Sequence, residues 1–282
     1  MKLGNIAVQP IVEMVHPYCL PEYAMPQATP EAMAPHRRWL EPWSLCPETG
    51  QFILAIQSWL VRTEHHTILI DTCIGCDKNS EYPDWHKRTD RIWLERLAGA
   101  GVQPEQVDYI FCTHLHLDHV GWNTQLRDGR FVPTFPNARY IFTKSDVEHA
   151  EAEDPPSFRQ SVLPILEANQ AQLVIGEFAL DDSVWLESTP GHTPGHVGVG
   201  MASGDARAVM CGDLIHFPVQ CAHPDWAVAF DTDPAQASIT RQSFLHDNCE
   251  SGRLVLTAHF PATSMGYVER AGDAFQFRFR TE

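Results

Sequence analysis

The stretch Thr113-His114-Leu115-His116-Leu117-Asp118-His119 places three histidines and one aspartate within six residues. It follows the apolar run Tyr109-Ile110-Phe111-Cys112. A short run of β-branched and aromatic residues predicts a buried strand, so the polar residues lie on the loop that leaves this strand. Imidazole nitrogens and carboxylate oxygens are the ligands that zinc and its neighbouring divalent metals prefer. Residues two apart lie on different faces of a helix, so a His-x-His pair on one metal indicates a loop site.

Three later turns repeat this arrangement of an apolar run followed by a ligand-type residue. They are Gly191-His192-Thr193-Pro194-Gly195-His196, Cys211-Gly212-Asp213 and Ala258-His259-Phe260. In each case a predicted strand ends in the turn, and the strand holds the backbone of the turn still. The alternative for the first stretch alone is a histidine-rich solvated turn. Its repetition at three further turns favours a metal site.

Together these motifs resemble the metallo-β-lactamase superfamily, and the resemblance extends from Asp71 to the C terminus. It implies an α/β fold, the αβ/βα four-layer sandwich in which two β-sheets lie face to face with helices outside. The order of predicted elements favours the same architecture, because the strands fall into two groups that are each followed by helices. We therefore predict a single metallo-β-lactamase-like hydrolase domain over residues 1–282.

The resemblance also implies two divalent metal ions, each held by three side chains and joined by one bridging carboxylate. The first ion is assigned to His114, His116 and His192, the second to Asp118, His119 and His259, and the bridge to Asp213. Zn²⁺ is the expected ion, with Co²⁺, Mn²⁺ and Fe²⁺ as alternatives. Behind these ligands, Asp71 is expected to support the ligand loops, and His196 is expected to be buried and hydrogen-bonded rather than bound to metal.

The predicted function is metal-dependent hydrolysis, in which a hydroxide bridging the two metals opens a lactone or cleaves a carboxylic ester. Asp118 and Asp213 are the predicted catalytic carboxylates. We expect a neutral His216 at the edge of the pocket, where it hydrogen-bonds substrate or water. The sequence contains no Gly-x-Ser-x-Gly elbow, so a serine hydrolase is disfavoured. Four aromatic residues that follow ligand loops suit an apolar pocket wall, namely Trp122, Phe217, Trp226 and Phe230.

The substrate class is open within this resemblance. Gly212-Asp213-Leu214-Ile215-His216 is most similar to the branch that holds dinuclear lactonases and methyl-parathion-hydrolase-like enzymes. In many lactonases of that branch a tyrosine occupies the place of His216, so organophosphate triesters are an alternative to lactones. Thioester hydrolysis of the glyoxalase II kind and β-lactam hydrolysis are further alternatives. An alternative of another class is a mononuclear iron persulfide dioxygenase, against which the complete second ligand set argues.

The resemblance implies a small-molecule ester or lactone as the partner, and the composition argues against nucleic acid. The net charge is −16, with 36 acidic and 20 basic residues, and the basic residues are scattered. A protein that grips nucleic acid needs lysine and arginine to displace counterions from phosphates, so we expect no nucleic-acid partner. No apolar run approaches the roughly 18 residues of a membrane span and no signal peptide is legible. We therefore expect a cytoplasmic protein without membrane association.

Residues 17–50 differ from the rest of the chain, because seven prolines alternate with tyrosine and tryptophan there. Proline at this density prevents a regular helix or a central strand. A disordered linker would carry fewer aromatic residues. We expect an ordered N-terminal arm that either covers the mouth of the active site or contacts a second subunit of a homodimer. Packing of the arm on the body's own core is the alternative.

Overall fold

A computed structural model of the protein describes residues 1–261 and 263–280. Within these ranges the strands are β1 Lys2–Leu3, β2 Ile6–Cys19, β3 Phe52–Arg62, β4 Thr67–Ile70, β5 Tyr109–Phe111, β6 Thr124–Arg127, β7 Arg130–Pro133, β8 Arg139–Thr143, β9 Ala171–Val174, β10 Val184–Ser188, β11 Val197–Ser203, β12 Ala206–Met210, β13 Leu254–Leu256, β14 Met265–Ala271 and β15 Ala274–Phe279. The α-helices are α1 Pro21–Ala24, α2 Pro30–Met33, α3 Arg37–Leu40, α4 Ile92–Gly99, α5 Leu117–Val120, α6 Lys144–Glu153, α7 Leu163–Glu167, α8 Val219–Ala222 and α9 Pro234–Asn248. Among the described residues, none of these helices is both long enough and apolar enough to cross a membrane.

The first sheet has the strand order β1-β2-β3-β4-β5-β8-β9. Strands β4, β5, β8 and β9 run parallel to one another, whereas β3 and β4 are antiparallel. Of these, β4, β5 and β8 are short and mostly buried, as expected for strands covered on both faces. Because β4 and β5 are parallel and Ile70 pairs with Phe111, the loops that begin at Asp71 and Cys112 leave the same edge side by side.

The second sheet has the strand order β10-β11-β12-β13-β14-β15. Strands β12 and β13 are parallel, and Met210 pairs with Leu256. The loops that follow these two strands therefore also leave one edge together. One of them carries Asp213 and the other carries His259. In both sheets, the neighbouring ends of two parallel strands bring together ligand-type residues that are distant in sequence.

The described chain divides into two compact units. Unit 1 comprises residues 1–13, 56–185 and 203–205, and unit 2 comprises residues 14–55 and 186–202 with the described residues from 206 onward. The N-terminal arm belongs to unit 2. Contrary to the expectation that proline excludes helix, the arm contains three four-residue helices, α1, α2 and α3. Proline begins α1 and α2, where its missing N–H group has no partner to lose.

Gly121 brings the histidine-rich loop that follows β5 against the segment that follows β4. Its N–H group donates to the carbonyl oxygen of Cys73 over 2.7 Å, and the next N–H group, of Trp122, donates to Thr72 over 2.9 Å. A Cβ atom at Gly121 would lie 1.7 Å from the carbonyl oxygen of Ile74. Only glycine therefore permits this approach of two backbone segments.

We expect Gly121→Ala to lower the free energy of unfolding by about 1–3 kcal/mol or more, because the obstructing atoms belong to the backbone and cannot turn aside. Urea denaturation of the variant and the wild type measures this difference. Gly99→Ala is the control, since no atom lies within 4 Å of a Cβ there and alanine suits the end of α4. An unchanged midpoint for Gly121→Ala would contradict the close packing.

Candidate metal centre

The loop after β5 presents four ligand-type side chains in unit 1. His114 and His119 are buried, while His116 and Asp118 are partly exposed. The Nε2 atom of His114 lies 3.0 Å from the Nδ1 atom of His116. The ring centroids of His114 and His119 are 4.1 Å apart, and His119 Nε2 lies 3.5 Å from Asp118 Oδ2. The residues that the sequence predicted as ligands on this loop therefore lie together.

Asp71, the first residue after β4, holds this loop from behind. Its fully buried carboxylate accepts hydrogen bonds from the Thr113 N–H group, the Thr113 hydroxyl and His119 Nδ1, over 2.8, 2.9 and 2.8 Å. Asp71 has a φ of +61°, an uncommon conformation for a residue with a side chain. Because His119 donates through Nδ1, its proton stays on that atom and Nε2 keeps a lone pair.

Thr113 extends the same control to His114. Its hydroxyl donates to Asp71 and so accepts from His114 Nδ1, which lies 3.1 Å away. This leaves His114 Nε2 as the nitrogen with a lone pair. Its 3.0 Å distance from His116 Nδ1 is close to the roughly 3 Å that separates two imidazole nitrogens bound to one Zn²⁺ at 2.0–2.1 Å. The donor set of this loop therefore fits a divalent transition metal.

In unit 2, three imidazoles converge on the carboxylate of Asp213. His259 Nε2 lies 2.9 Å from Asp213 Oδ1, and the Nε2 atoms of His216 and His192 lie 3.0 and 3.4 Å from Oδ2. All four residues are buried. Asp213, His216 and His259 form a group whose ligand atoms are close enough to hold a metal ion. Both carboxylate oxygens of Asp213 thus face imidazole nitrogens.

Buried acceptors fix the protonation of the unit 2 imidazoles as well. His192 Nδ1 donates to Asp231 Oδ1 over 2.9 Å, and His259 Nδ1 donates to the Ala55 carbonyl oxygen over 2.8 Å. In both histidines the proton is therefore on Nδ1, and Nε2 offers its lone pair toward Asp213. Asp231 follows the apolar run Trp226-Ala227-Val228-Ala229-Phe230, but the sequence does not show that its partner is His192, 39 residues earlier.

Asp231 is itself held by Arg241 of α9, a buried cation. Arg241 donates through Nε to the Leu214 carbonyl over 2.7 Å and through Nη1 to Pro224 and Trp226, and its Nη2 atom lies 3.7 Å from Asp231 Oδ2. Burial raises the pKa of the Asp231 carboxyl, and the charges of His216 and Arg241 oppose this shift. Burial also lowers the pKa of Arg241. Arg241 therefore fixes the loop that carries Asp213 to the segment around Trp226.

His196 lies behind Asp213. Its Nε2 atom accepts the Asp213 N–H group over 2.9 Å, and its Nδ1 atom lies 2.8 Å from the Thr189 hydroxyl. Because the lone pair of Nε2 already accepts a hydrogen bond, His196 is not available as a metal ligand in this geometry. It positions the backbone of Asp213 instead.

His216 is buried, with 4% of its surface exposed, and its place at the pocket edge stays a prediction. Its ring stacks on His259 with centroids 5.6 Å apart. The backbone N–H group of His216 donates to Gln220 Oε1 over 2.8 Å. Among the described residues, its Nδ1 atom has no hydrogen-bond partner.

The four predicted wall residues have different environments. Trp122 stacks on Trp93 and donates to Glu13, and Phe217 stacks on Phe52 with centroids 4.0 Å apart. Both are 1% exposed and lie in the interior of their units, so neither forms an open wall. Trp226 is also buried, at 7% exposure. Phe230 is the partly exposed member, and its ring centroid lies 6.2 Å from that of His216.

We expect Asp71→Asn to weaken metal binding about 10–100-fold, the usual cost of losing a partner behind a metal ligand. Asparagine tolerates the positive φ, but its amide NH₂ would face either His119 Nδ1 or the Thr113 N–H group. The first orientation drives the imidazole proton onto Nε2 and blocks the ligand atom.

Metal content after dialysis against a graded chelator series measures the effect of Asp71→Asn. Asp108→Asn is the matched control, because the Asp108 carboxylate also accepts a backbone N–H group, from Thr67 at an exposed position. Equal metal retention in the two variants would show that Asp71 does not control the ligand.

The family model of the metallo-beta-lactamase superfamily matches residues 53–259 of this chain. Among curated proteins, an N-acyl homoserine lactonase of Bacillus sp is 29% identical over 155 residues, which cover 51% of this chain and 56% of the relative. The N-acyl homoserine lactonase AttM of Agrobacterium fabrum is 30% identical over 115 residues, covering 38% and 40%. The chain thus spans only about half the length of the curated relatives it matches.

Solved structures are similar over the whole chain. AidC, described as a dizinc quorum-quenching lactonase in complex with the product N-hexnoyl-L-homoserine, has a TM-score of 0.80 at 22% identity and covers 100% of this chain and 97% of its own. The hydrolase AbOPH of the beta-lactamase superfamily has a TM-score of 0.78 at 23% identity, with the same coverage. These similarities confirm the predicted fold class.

Proposed function

Because the chain belongs to the metallo-β-lactamase superfamily, we propose that it is a metal-dependent hydrolase that opens lactones. The observation that carries this proposal is the convergence of the Nε2 atoms of His192 and His259 on the two carboxylate oxygens of Asp213, over 3.4 and 2.9 Å. Burying a carboxylate and imidazole lone pairs side by side costs free energy unless a cation binds them. A structural zinc site built on cysteine thiolates fits less well, since no cysteine belongs to the set.

The ligand assignment made from the sequence is part of this proposal. We assign His114, His116 and His192 to one ion, Asp118, His119 and His259 to a second, and Asp213 to both, with zinc as the expected metal. When bound, the ions would polarise the scissile carbonyl and lower the pKa of a water molecule. The geometry within each unit supports the assignment, because Nδ1 of His119, His192 and His259 is bonded to a buried acceptor.

The chain's own groups then have distinct roles in the proposed reaction. The two carboxylate oxygens of Asp213 face the Nε2 atoms of His192 and His259. His196 holds the backbone of Asp213 in place by accepting its N–H group. Because His216 Nδ1 has no partner among the described residues, that atom is the group we assign to hydrogen-bonding the substrate or bound water. Phe230, beside His216 and partly exposed, is the aromatic residue we assign to the acyl group.

The relatives suggest the substrate class. Two of them are named N-acyl homoserine lactonases, and AidC is described with a homoserine product. A second candidate substrate is an organophosphate triester, favoured by His216 standing where many lactonases of the resembled branch have tyrosine. Attack by an activated water and stabilisation of the developing oxyanion serve carbonyl and phosphoryl centres alike. A cytoplasmic location and a homodimer formed through the arm stay predictions.

An assay of the ring opening of N-hexanoyl homoserine lactone by the zinc-loaded protein tests the proposal. The acid that the reaction releases measures the rate. Elemental analysis of protein purified without added metal accompanies the assay. We expect turnover with about two divalent ions per chain. Asp213→Ala should fold but lose turnover, because it removes the carboxylate on which the imidazoles converge. One iron per chain with oxygen uptake, or full activity of Asp213→Ala, would overturn the proposal.

We expect His216→Gln to keep its metal and to lose on the order of 10²-fold in kcat, the lower range for a positioned acid–base group. Steady-state kinetics on the lactone and on a phosphotriester, with metal analysis, measure this. His246→Gln is the matched control, since its imidazole is 73% exposed. Loss of metal in His216→Gln would make the residue a ligand, and unchanged kinetics on both substrates would make it structural.

A further inference from the structure

Unit 2 contains a pair of neighbouring histidines that do not belong to the proposed metal ligands. His36 precedes α3 in the N-terminal arm, and His223 follows α8. Their Nε2 atoms are 2.8 Å apart, although 187 positions separate the two residues in the sequence. Both side chains are half-buried, so solvent reaches them. The proposed hydrolysis uses neither residue.

Both rings favour the neutral form, which is the form that binds metal. Burial lowers the pKa of His36, and the neighbouring His223 lowers it further. Burial also lowers the pKa of His223, an effect that the charge of Asp225 opposes. Two neutral imidazoles can share one N–H···N hydrogen bond through these atoms. If both protons move to the Nδ1 positions, both Nε2 lone pairs become available to a single cation.

The spacing suits two neighbouring ligands of one ion. Two nitrogens each about 2.0–2.1 Å from a metal and at right angles to each other are about 2.9 Å apart. The observed 2.8 Å is close to this value and to the 3.0 Å between His114 Nε2 and His116 Nδ1 in the ligand loop. Right-angled nitrogen ligands are typical of Cu²⁺ and Ni²⁺.

Aromatic side chains hold the two rings in place. His223 lies flat on Trp226, with centroids 4.0 Å apart and planes 9° from parallel. His36 meets the rings of Trp39 and Trp226 edge-on, at 5.7 and 6.3 Å. Because these contacts already restrict both imidazoles, little side-chain freedom is left to lose on binding an ion.

We propose that His36 and His223 form a separate transition-metal site that fastens the N-terminal arm to the segment after α8. Its ligand class is a nitrogen-preferring divalent ion, with Ni²⁺ or Cu²⁺ as the best match and water in the other coordination positions. The site is linked to His216 by Gln220, which accepts from the His216 N–H group and donates to the Trp226 carbonyl oxygen over 2.8 Å each.

Titration of the zinc-loaded protein with Ni²⁺ tests this site. Nickel is preferable to copper, which oxidises thiols, because all described cysteines are free. Calorimetry measures binding, tryptophan fluorescence reports an ion beside Trp226 and Trp39, and elemental analysis measures retained zinc. We expect one added Ni²⁺ per chain, partial quenching of the fluorescence and no loss of zinc.

His36→Gln and His223→Gln should each weaken this binding about 100-fold or more, because loss of a ligand exceeds the 10–100-fold cost of losing the partner behind one. His246→Gln, which removes an exposed imidazole, should bind Ni²⁺ like the wild type. Two single variants are used so that a folding defect in one, seen as a lowered melting temperature, leaves the other decisive. The proposal fails if both variants bind Ni²⁺ like the wild type, if Ni²⁺ uptake releases an equal amount of zinc, or if the wild type binds no added ion.

Discussion

The proton on each buried imidazole is the constraint on which the ligand geometry depends. A neutral imidazole carries one proton, and a buried acceptor holds it on Nδ1 in His119, His192 and His259. The acceptors differ, being the carboxylates of Asp71 and Asp231 and the carbonyl oxygen of Ala55. Their effect is the same, since each leaves Nε2 with a lone pair. Burial of these carboxylates is tolerable because several donors contact each of them.

The backbone that follows β4 adopts an uncommon conformation where it supports the ligand loop. Asp71, Cys73 and Gly75 all have positive φ, so the segment after β4 turns sharply where it contacts Gly121. The buried carboxylate of Glu13, from β2, accepts from the Ile74 and Gly75 N–H groups and from the indole of Trp122. Burial raises the pKa of Glu13 to about 7, and these donors oppose the shift. Contacts from β2 and from the ligand loop therefore stabilise the strained backbone of this segment.

In the proposed function, the metal ligands and the groups that choose a substrate are separate features. Histidine and aspartate ligands of this kind serve attack on carbonyl and phosphoryl centres equally well. In that proposal, selection between carbonyl and phosphoryl centres is assigned to His216 and Phe230, whose ring centroids lie 6.2 Å apart and which are not among the assigned ligands. Gln220 and Arg241 hold the segment that carries His216, from α8 and α9. Changes in these supporting residues can alter specificity while the ligands stay the same.

The sequence by itself determined the fold class and the position of each ligand-type residue, because short apolar runs ending in histidine or aspartate are local patterns. It also indicated that Asp71 and His196 lie close to the ligand loops. Only the tertiary structure decided which acceptor holds each imidazole proton. Asp231 ends an apolar run, but that pattern does not identify its partner, and Ala55 and Glu13 have no local signal. The contacts of these three residues are with residues 39 to 204 positions away. The same reason explains why Trp122 and Phe217, which follow ligand loops in sequence, are interior residues. A side chain's neighbours in a folded protein are set by long-range packing, which sequence proximity does not encode.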